Sequence, residues 1–167
     1  MKRVFDTEGI RLATFQGRLC ASSLSRVTTS SPIFLRRFMK SDYILKMDEG
    51  NSARLSLDED EAFRELEQQY GEGTYGKIRY SEEALYWIGW IYRYITYTRK
   101  VYSRLVYRYI KPEYLYRVYA VYHTQDEEWV FSRVLASLDL TEADFDINER
   151  YKKIYQQEHL TKNLLVG

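Results

Sequence analysis

Fourteen of the 17 tyrosines fall between Tyr70 and Tyr122, and the apolar residues of that stretch recur at helical rather than strand intervals. This is the feature that most limits the fold. Ala84, Leu85, Ile88, Ile91, Tyr92 and Ile95 form one stripe, and Tyr86, Trp90, Arg93 and Tyr97 form a second at i, i+4, i+7 and i+11. A helix apolar on two sides is either central in its fold or in contact with a partner. Ser81-Glu82-Glu83 supplies a cap and an acidic first turn, and Gly89 allows close helix approach at a cost in helix propensity. A break is expected near Lys100. Val101–Ile110 then continues with Tyr102, Leu105, Val106 and Tyr109 inward. Pro112, tolerated only in a first turn, starts the next helix, with Leu115, Val118, Tyr119 and Tyr122 inward. The segment from Tyr80 to His123 therefore reads as three helices.

The remaining chain adds shorter elements. Ile10, Leu12 and Thr14 alternate with Arg11 and Ala13 after a turn-like Asp6-Thr7-Glu8-Gly9, which predicts a small β hairpin or extended arm over residues 1–21. The Ser/Thr-rich residues 22–31 read as a loop. Ser31-Pro32 opens a helix with Phe34, Leu35, Phe38 and Met39 on one side, ending between Asp42 and Lys46, and Glu49–Ser52 is a polar break. Ser56 and Glu59 have capping-box spacing ahead of Ala62, Phe63, Leu66 and Tyr70, and Gly71 is a stop. Thr124 and Glu127 repeat the box ahead of Trp129, Val130, Val134, Leu135 and Leu138. Thr141–Asp144 caps a last short turn, and a peripheral tail, helical around Arg150–Glu158, follows. The expected fold is mainly α: a single-domain bundle of five or six helices, its core in residues 32–140, with the small N-terminal β element and a tail over 141–167. Two prolines and eight glycines are too few for a sandwich or barrel.

Cys20 is the lone cysteine, so the chain cannot form an internal disulfide, and a reducing compartment is the natural setting. Met1–Arg18 has no sustained apolar run of the kind a signal peptide carries, and Ala84–Ile95 is too short to span a bilayer. A cytoplasmic location is expected. The net charge is +1, yet charge alternates along the chain: 8 positive and 2 negative side chains over residues 1–40, 3 and 10 over 41–76, 9 and 3 over 77–123, and 5 and 9 over 124–167. Acidic helices lying on basic ones would explain this, as would a basic binding surface.

Chemistry-bearing motifs are sparse. His123 and His159 are the only histidines, and with one cysteine they assemble none of the usual zinc ligand patterns. No metal and no cofactor is expected. Gly71-Glu72-Gly73-Thr74-Tyr75-Gly76 lacks the Gly-Lys-Ser/Thr ending of a phosphate loop. Lys100, Arg104, Arg108 and Lys111 fall in helical register and form a basic stripe that suits nucleic-acid phosphates, or a solvated face. Tyrosine gives large contact area with a polar tip. Fourteen in one segment exceed what a helical core of this size needs, so several are expected to be exposed or to sit against another chain, a different protein or a second copy.

Arg117-Val-Tyr-Ala-Val-Tyr-His123 resembles the core motif of HEPN ribonucleases, metal-independent RNA-cleaving helical dimers. The resemblance implies proton transfer by His123 and charge stabilisation by Arg117. Val118 departs from the polar residue the family often has there. A plainer reading is a solvated Arg117 and a His123 that closes its helix.

Three further stretches resemble an uncharacterised antitoxin-like family of Firmicutes. They are Ser30–Asp42 (SSPIFLRRFMKSD), Leu85–Tyr94 (LYWIGWIYRY), and Ile110–Glu113 (IKPE) with Tyr122-His123-Thr124. Order and spacing match over about residues 4–136. The chain departs at Arg99–Arg108, denser in tyrosine and basic residues, and extends past Ala136. The resemblance implies a non-enzymatic neutralising partner of an ADP-ribosyltransferase-like toxin. In that reading Tyr86, Trp90, Tyr94 and Tyr97 are aromatic anchors in the toxin's site, and Arg36, Arg37 and Arg93 pair with its acids.

Overall fold

In the computed structural model, which describes residues 2–50, 56–146, 157–162 and 164–165, the helix built from the densest aromatic stretch is central. It runs Glu82–Arg99, capped by the Ser81 hydroxyl, which accepts from the Ala84 N–H at 3.2 Å. From Ile91 to Arg99 every residue is buried. In chain order the helices are α1 (Thr7–Arg26), α2 (Ser31–Met39), α3 (Asp42–Asp48), α4 (Glu59–Tyr70), α5 (Glu82–Arg99), α6 (Ser103–Tyr109), α7 (Pro112–Tyr122) and α8 (Glu127–Ser137), then a 3-10 turn at Glu142–Phe145. No strand occurs among the described residues. The expectation for residues 147–156 lies outside them; 157–162 is helical and exposed.

The mainly helical expectation holds, with eight α-helices among the described residues where five or six are expected, but the N-terminal β element does not. Residues 7–26 form a helix of 20 residues, begun by the Asp6 carboxylate accepting from the Gly9 N–H at 3.0 Å. The turn-like Asp6–Gly9 is thus a helix start, and the helix continues through the first half of the expected loop, to Arg26. Ser23 and Ser25 return their hydroxyls to the carbonyls of Cys20 and Ser22, a bond that lets serine persist in a helix.

The packing of α1 on α5 is the largest interface in the fold. Glycines bring the two backbones together. A Cβ on Gly89 would lie 2.7 Å from the Gln16 carbonyl oxygen and 2.9 Å from Cys20 Sγ, and one on Gly17 would lie 3.0 Å from the Tyr86 carbonyl oxygen. Leu12, Leu19, Leu85, Ile88 and Ile95 fill the remaining seam. On the other flank, α2 packs against α4, α6 and α7, stacking Phe34 with Phe38 and Phe63. α8 closes one end, with Phe131 and Phe145 edge to face at 5.4 Å.

Both expected breaks in the aromatic segment are present. Lys100 takes left-handed backbone (φ 54) after α5, and Pro112 sits in the first turn of α7. Two caps fall on neighbouring residues. α4 is capped by Asp58 rather than Ser56, and α8 by Asp126 rather than Thr124. The Thr141–Asp144 capping box is formed.

Candidate functional site

The face of α5 expected to meet a partner divides in two. Its C-terminal half is covered by the chain's own α1 and N-terminal residues. Arg93, expected to pair with a partner's acid, is 2% exposed and bonded to Asp48 at 2.9 Å and to the Gln16 side-chain oxygen at 2.8 Å. Asp48 also accepts from the Ser103 N–H and hydroxyl at 2.8 and 2.9 Å. Burial pushes the Asp48 carboxyl up, opposed by Arg93 and Ser103. Tyr97 donates to Asp6 at 2.6 Å, and Phe5 lies edge-on to Tyr94 at 5.0 Å. Tyr94 donates to Glu128, which also holds Arg99 at 2.5 Å and Lys2 at 3.0 Å. Arg93, Tyr94 and Tyr97 are therefore internal, because α1, the residues before it, Asp48 of α3 and Glu128 of α8 take the surface assigned to a partner.

Tyr86 and Trp90 differ: both are half-buried and line an open groove of about 640 Å³ between α5, α7 and the turn leading into α8. With them stand Trp87, Tyr119 and His123, and the carboxyl groups of Glu82, Glu83 and Glu127. Its rings brace one another. Tyr86 stacks along Trp90 at 6.2 Å, Trp87 meets Tyr119 at 5.7 Å, and His123 stacks on Tyr119 at 4.6 Å. Trp90 Nε1 donates to Glu127 at 3.1 Å, and Phe5 meets Trp90 edge-on at 5.8 Å. Rings fixed in this way lose little freedom when they meet a ligand. Trp87 is absent from the expected partner-binding residues, and Tyr119, Glu82, Glu83 and Glu127 are expected only in core or capping roles. The signal was present: Glu83, Tyr86, Trp87 and Trp90 are spaced i, i+3, i+4 and i+7, a truer single face than the line chosen through Arg93.

The other expected groupings do not assemble. Arg117 is exposed with its guanidinium 5.9 Å over the Tyr114 ring, while His123 Nδ1 is 2.8 Å from the Tyr119 carbonyl oxygen. Six helical residues turn them about 120° apart. The basic stripe is split over three elements, since Lys100 ends α5, Arg104 and Arg108 lie on α6, and Lys111 precedes α7. Arg104 donates to the Lys40 carbonyl at 2.7 Å. Lys40 and Lys111 both lie over the Tyr107 ring, at 5.4 and 4.2 Å, and burial holds Lys111 below the usual lysine range. Arg36 is exposed on α2, whereas Arg37 lies over Tyr70 and Tyr75 at 5.6 and 5.9 Å. Neither lines the groove. A second hollow of about 950 Å³, bounded by α2, α4 and residues 71–75, is larger but mixed in charge, and its Arg26 and Asp60 neutralise each other at 2.7 Å.

Among the described residues no three His, Cys, Asp or Glu side chains are placed to hold a metal ion, and no helix is long and apolar enough to cross a membrane. The chain matches no protein-family model, no curated protein and no solved structure.

Proposed function

We propose that this chain is a non-enzymatic interaction protein that docks on a protein partner through the groove of Tyr86, Trp87, Trp90, Tyr119 and His123. The carrying observation is that groove: Tyr86, Trp90, Tyr119 and His123 at least partly exposed over the buried ring of Trp87, braced by the protein's own contacts and rimmed by carboxylates. Braced Trp and Tyr side chains are the residues that most often dominate binding energy at an interface. The antitoxin-like resemblance gives the partner class: a toxin, ADP-ribosyltransferase-like, neutralised by occlusion of its site. In this reading the anchors are Tyr86 and Trp90 from the original face, joined by Trp87 and Tyr119, and Arg93 holds the scaffold together.

The experiment is co-expression of the chain with the product of the adjacent gene, read by growth rescue and by size-exclusion chromatography. The wild-type chain forms a complex and rescues growth, and a Tyr119→Ala/Glu127→Gln variant does neither while keeping its helical circular-dichroism spectrum. A chain that stays alone, or a variant that binds like the wild type, overturns the reading. A chain toxic by itself, with toxicity removed by His123→Ala, also overturns it and favours RNA cleavage.

A further inference from the structure

We infer that the groove is a receptor for an arginine side chain presented by the partner protein. The inference rests on the groove being a partner-binding face and adds the chemistry of what enters it. Glu82 and Glu83 project from the first turn of α5 and Glu127 from the first turn of α8, and the groove lining contains no lysine or arginine. Some of the α5 charge offsets the helix dipole, but that role does not require a wall of aromatic rings opposite. Glu127 is held through one oxygen by Trp90 Nε1 at 3.1 Å, and its other oxygen takes no hydrogen bond from the described residues. A carboxylate is thereby fixed at the edge of an indole with an acceptor to spare.

Aromatic faces attract cations through the ring quadrupole, indole most strongly, and the attraction grows as water is excluded. Guanidinium fits better than ammonium here. It is planar, stacks on aromatic faces and is weakly hydrated, and it donates in a fork that matches carboxylate oxygens. The groove's volume of about 640 Å³ exceeds one side chain. It suits an arginine carried on a peptide segment whose neighbours cover the rest of the aromatic floor. The occupant's positive charge complements three carboxylates that have no cation of the chain's own beside them in the lining.

The test uses the full chain with ¹⁵N-labelled tryptophan and three probe peptides, acetyl-Gly-X-Gly-amide with X arginine, lysine or the neutral isostere citrulline. The indole N–H signals of Trp87 and Trp90 report the groove, and Trp129, which does not line it, is the control. The arginine peptide shifts Trp87 and Trp90, binds about tenfold more tightly than the citrulline peptide and more tightly than the lysine peptide. Its binding weakens severalfold in Glu127→Gln and in Glu82→Gln/Glu83→Gln. Equal binding of arginine and citrulline peptides, a preference for lysine, a shift at Trp129 in place of Trp87 and Trp90, or no shift with any peptide overturns the inference. The two readings fail separately. If complex formation with the adjacent-gene product needs Tyr119 but citrulline serves as well as arginine, the docking face stands and the arginine receptor falls. If complex formation ignores the groove, the docking face falls.

Discussion

Replacing Gly89 with alanine tests the α1–α5 packing on which the whole arrangement depends. On helix propensity alone the change stabilises by about 1 kcal/mol, since glycine is the poorest ordinary helix former. The structure reverses that sign. The new methyl would lie 2.7 Å from the Gln16 carbonyl oxygen, where ordinary contact begins at 3.4 Å. The obstacle is backbone, so no rotamer change relieves it, and α1 must move away by several tenths of an ångström. A gap of that size forfeits a quarter to a half of the dispersion energy at the contacts it opens. The cost falls near the upper end of the overpacking range, about 3 kcal/mol. The net destabilisation is about 2 kcal/mol, a fall in Tm of about 4–8 °C for a chain of this length. Differential scanning calorimetry measures it directly. Cys20 supplies a second readout. Its thiol is fully buried against the same crossing, and burial pushes its pKa up, so alkylation is slow in the native state. Gly89→Ala is expected to speed that alkylation. A rise in Tm with unchanged thiol reactivity would refute the close crossing.

Two further outcomes follow from the polar contacts. Asp48→Ala leaves Arg93 buried without its counter-charge and is expected to cost about 3–5 kcal/mol in urea unfolding, whereas Asp48→Leu/Arg93→Met, which removes both charges, costs less than Asp48→Ala alone; a double variant as damaged as the single one would contradict this. Arg99 holds the Glu128 carboxyl down at about 2, aided by Tyr94 and Lys2 against the opposing effect of burial. The stabilisation is complete above the ordinary glutamate value of 4.5 and is lost as pH falls from there through about 2. The side chain is more than a third exposed, so screening limits the effect to about 1 kcal/mol. Urea midpoints between pH 5 and 2 are expected to fall more steeply for the wild type than for Glu128→Gln, and parallel curves would show that the contact contributes nothing.

Much of the fold is legible where local chemistry decides it. Ser81 caps α5, Pro112 starts α7, Gly71 stops α4, and the tyrosine-rich segment divides where expected. The first helix is hidden because its inward face is carried mostly by small and polar residues: Gly9, Ala13, Gln16, Gly17, Cys20 and Ser23 are buried beside only two leucines, Leu12 and Leu19. A hydrophobic stripe cannot show through such residues, and the alternation from Ile10 to Thr14 suggested a strand instead. The candidate site was half legible. Tyr86 and Trp90 carry it, but which side of α5 remains open depends on where α1 lies. Nothing near Arg93 in sequence announces a counter-charge at Asp48, which the fold brings in from 45 residues away. The pairing of α5 with α7 that turns Trp87 and Tyr119 toward each other is likewise a tertiary fact.

The most direct test of the docking face is the dissociation constant between the purified chain and the product of its adjacent gene, measured for the wild type and for Tyr119→Ala/Glu127→Gln. The groove account predicts a 1:1 complex whose affinity drops by at least about tenfold in the variant, with its helical spectrum retained. Equal affinity for the two chains, or no complex with the wild type, would contradict it.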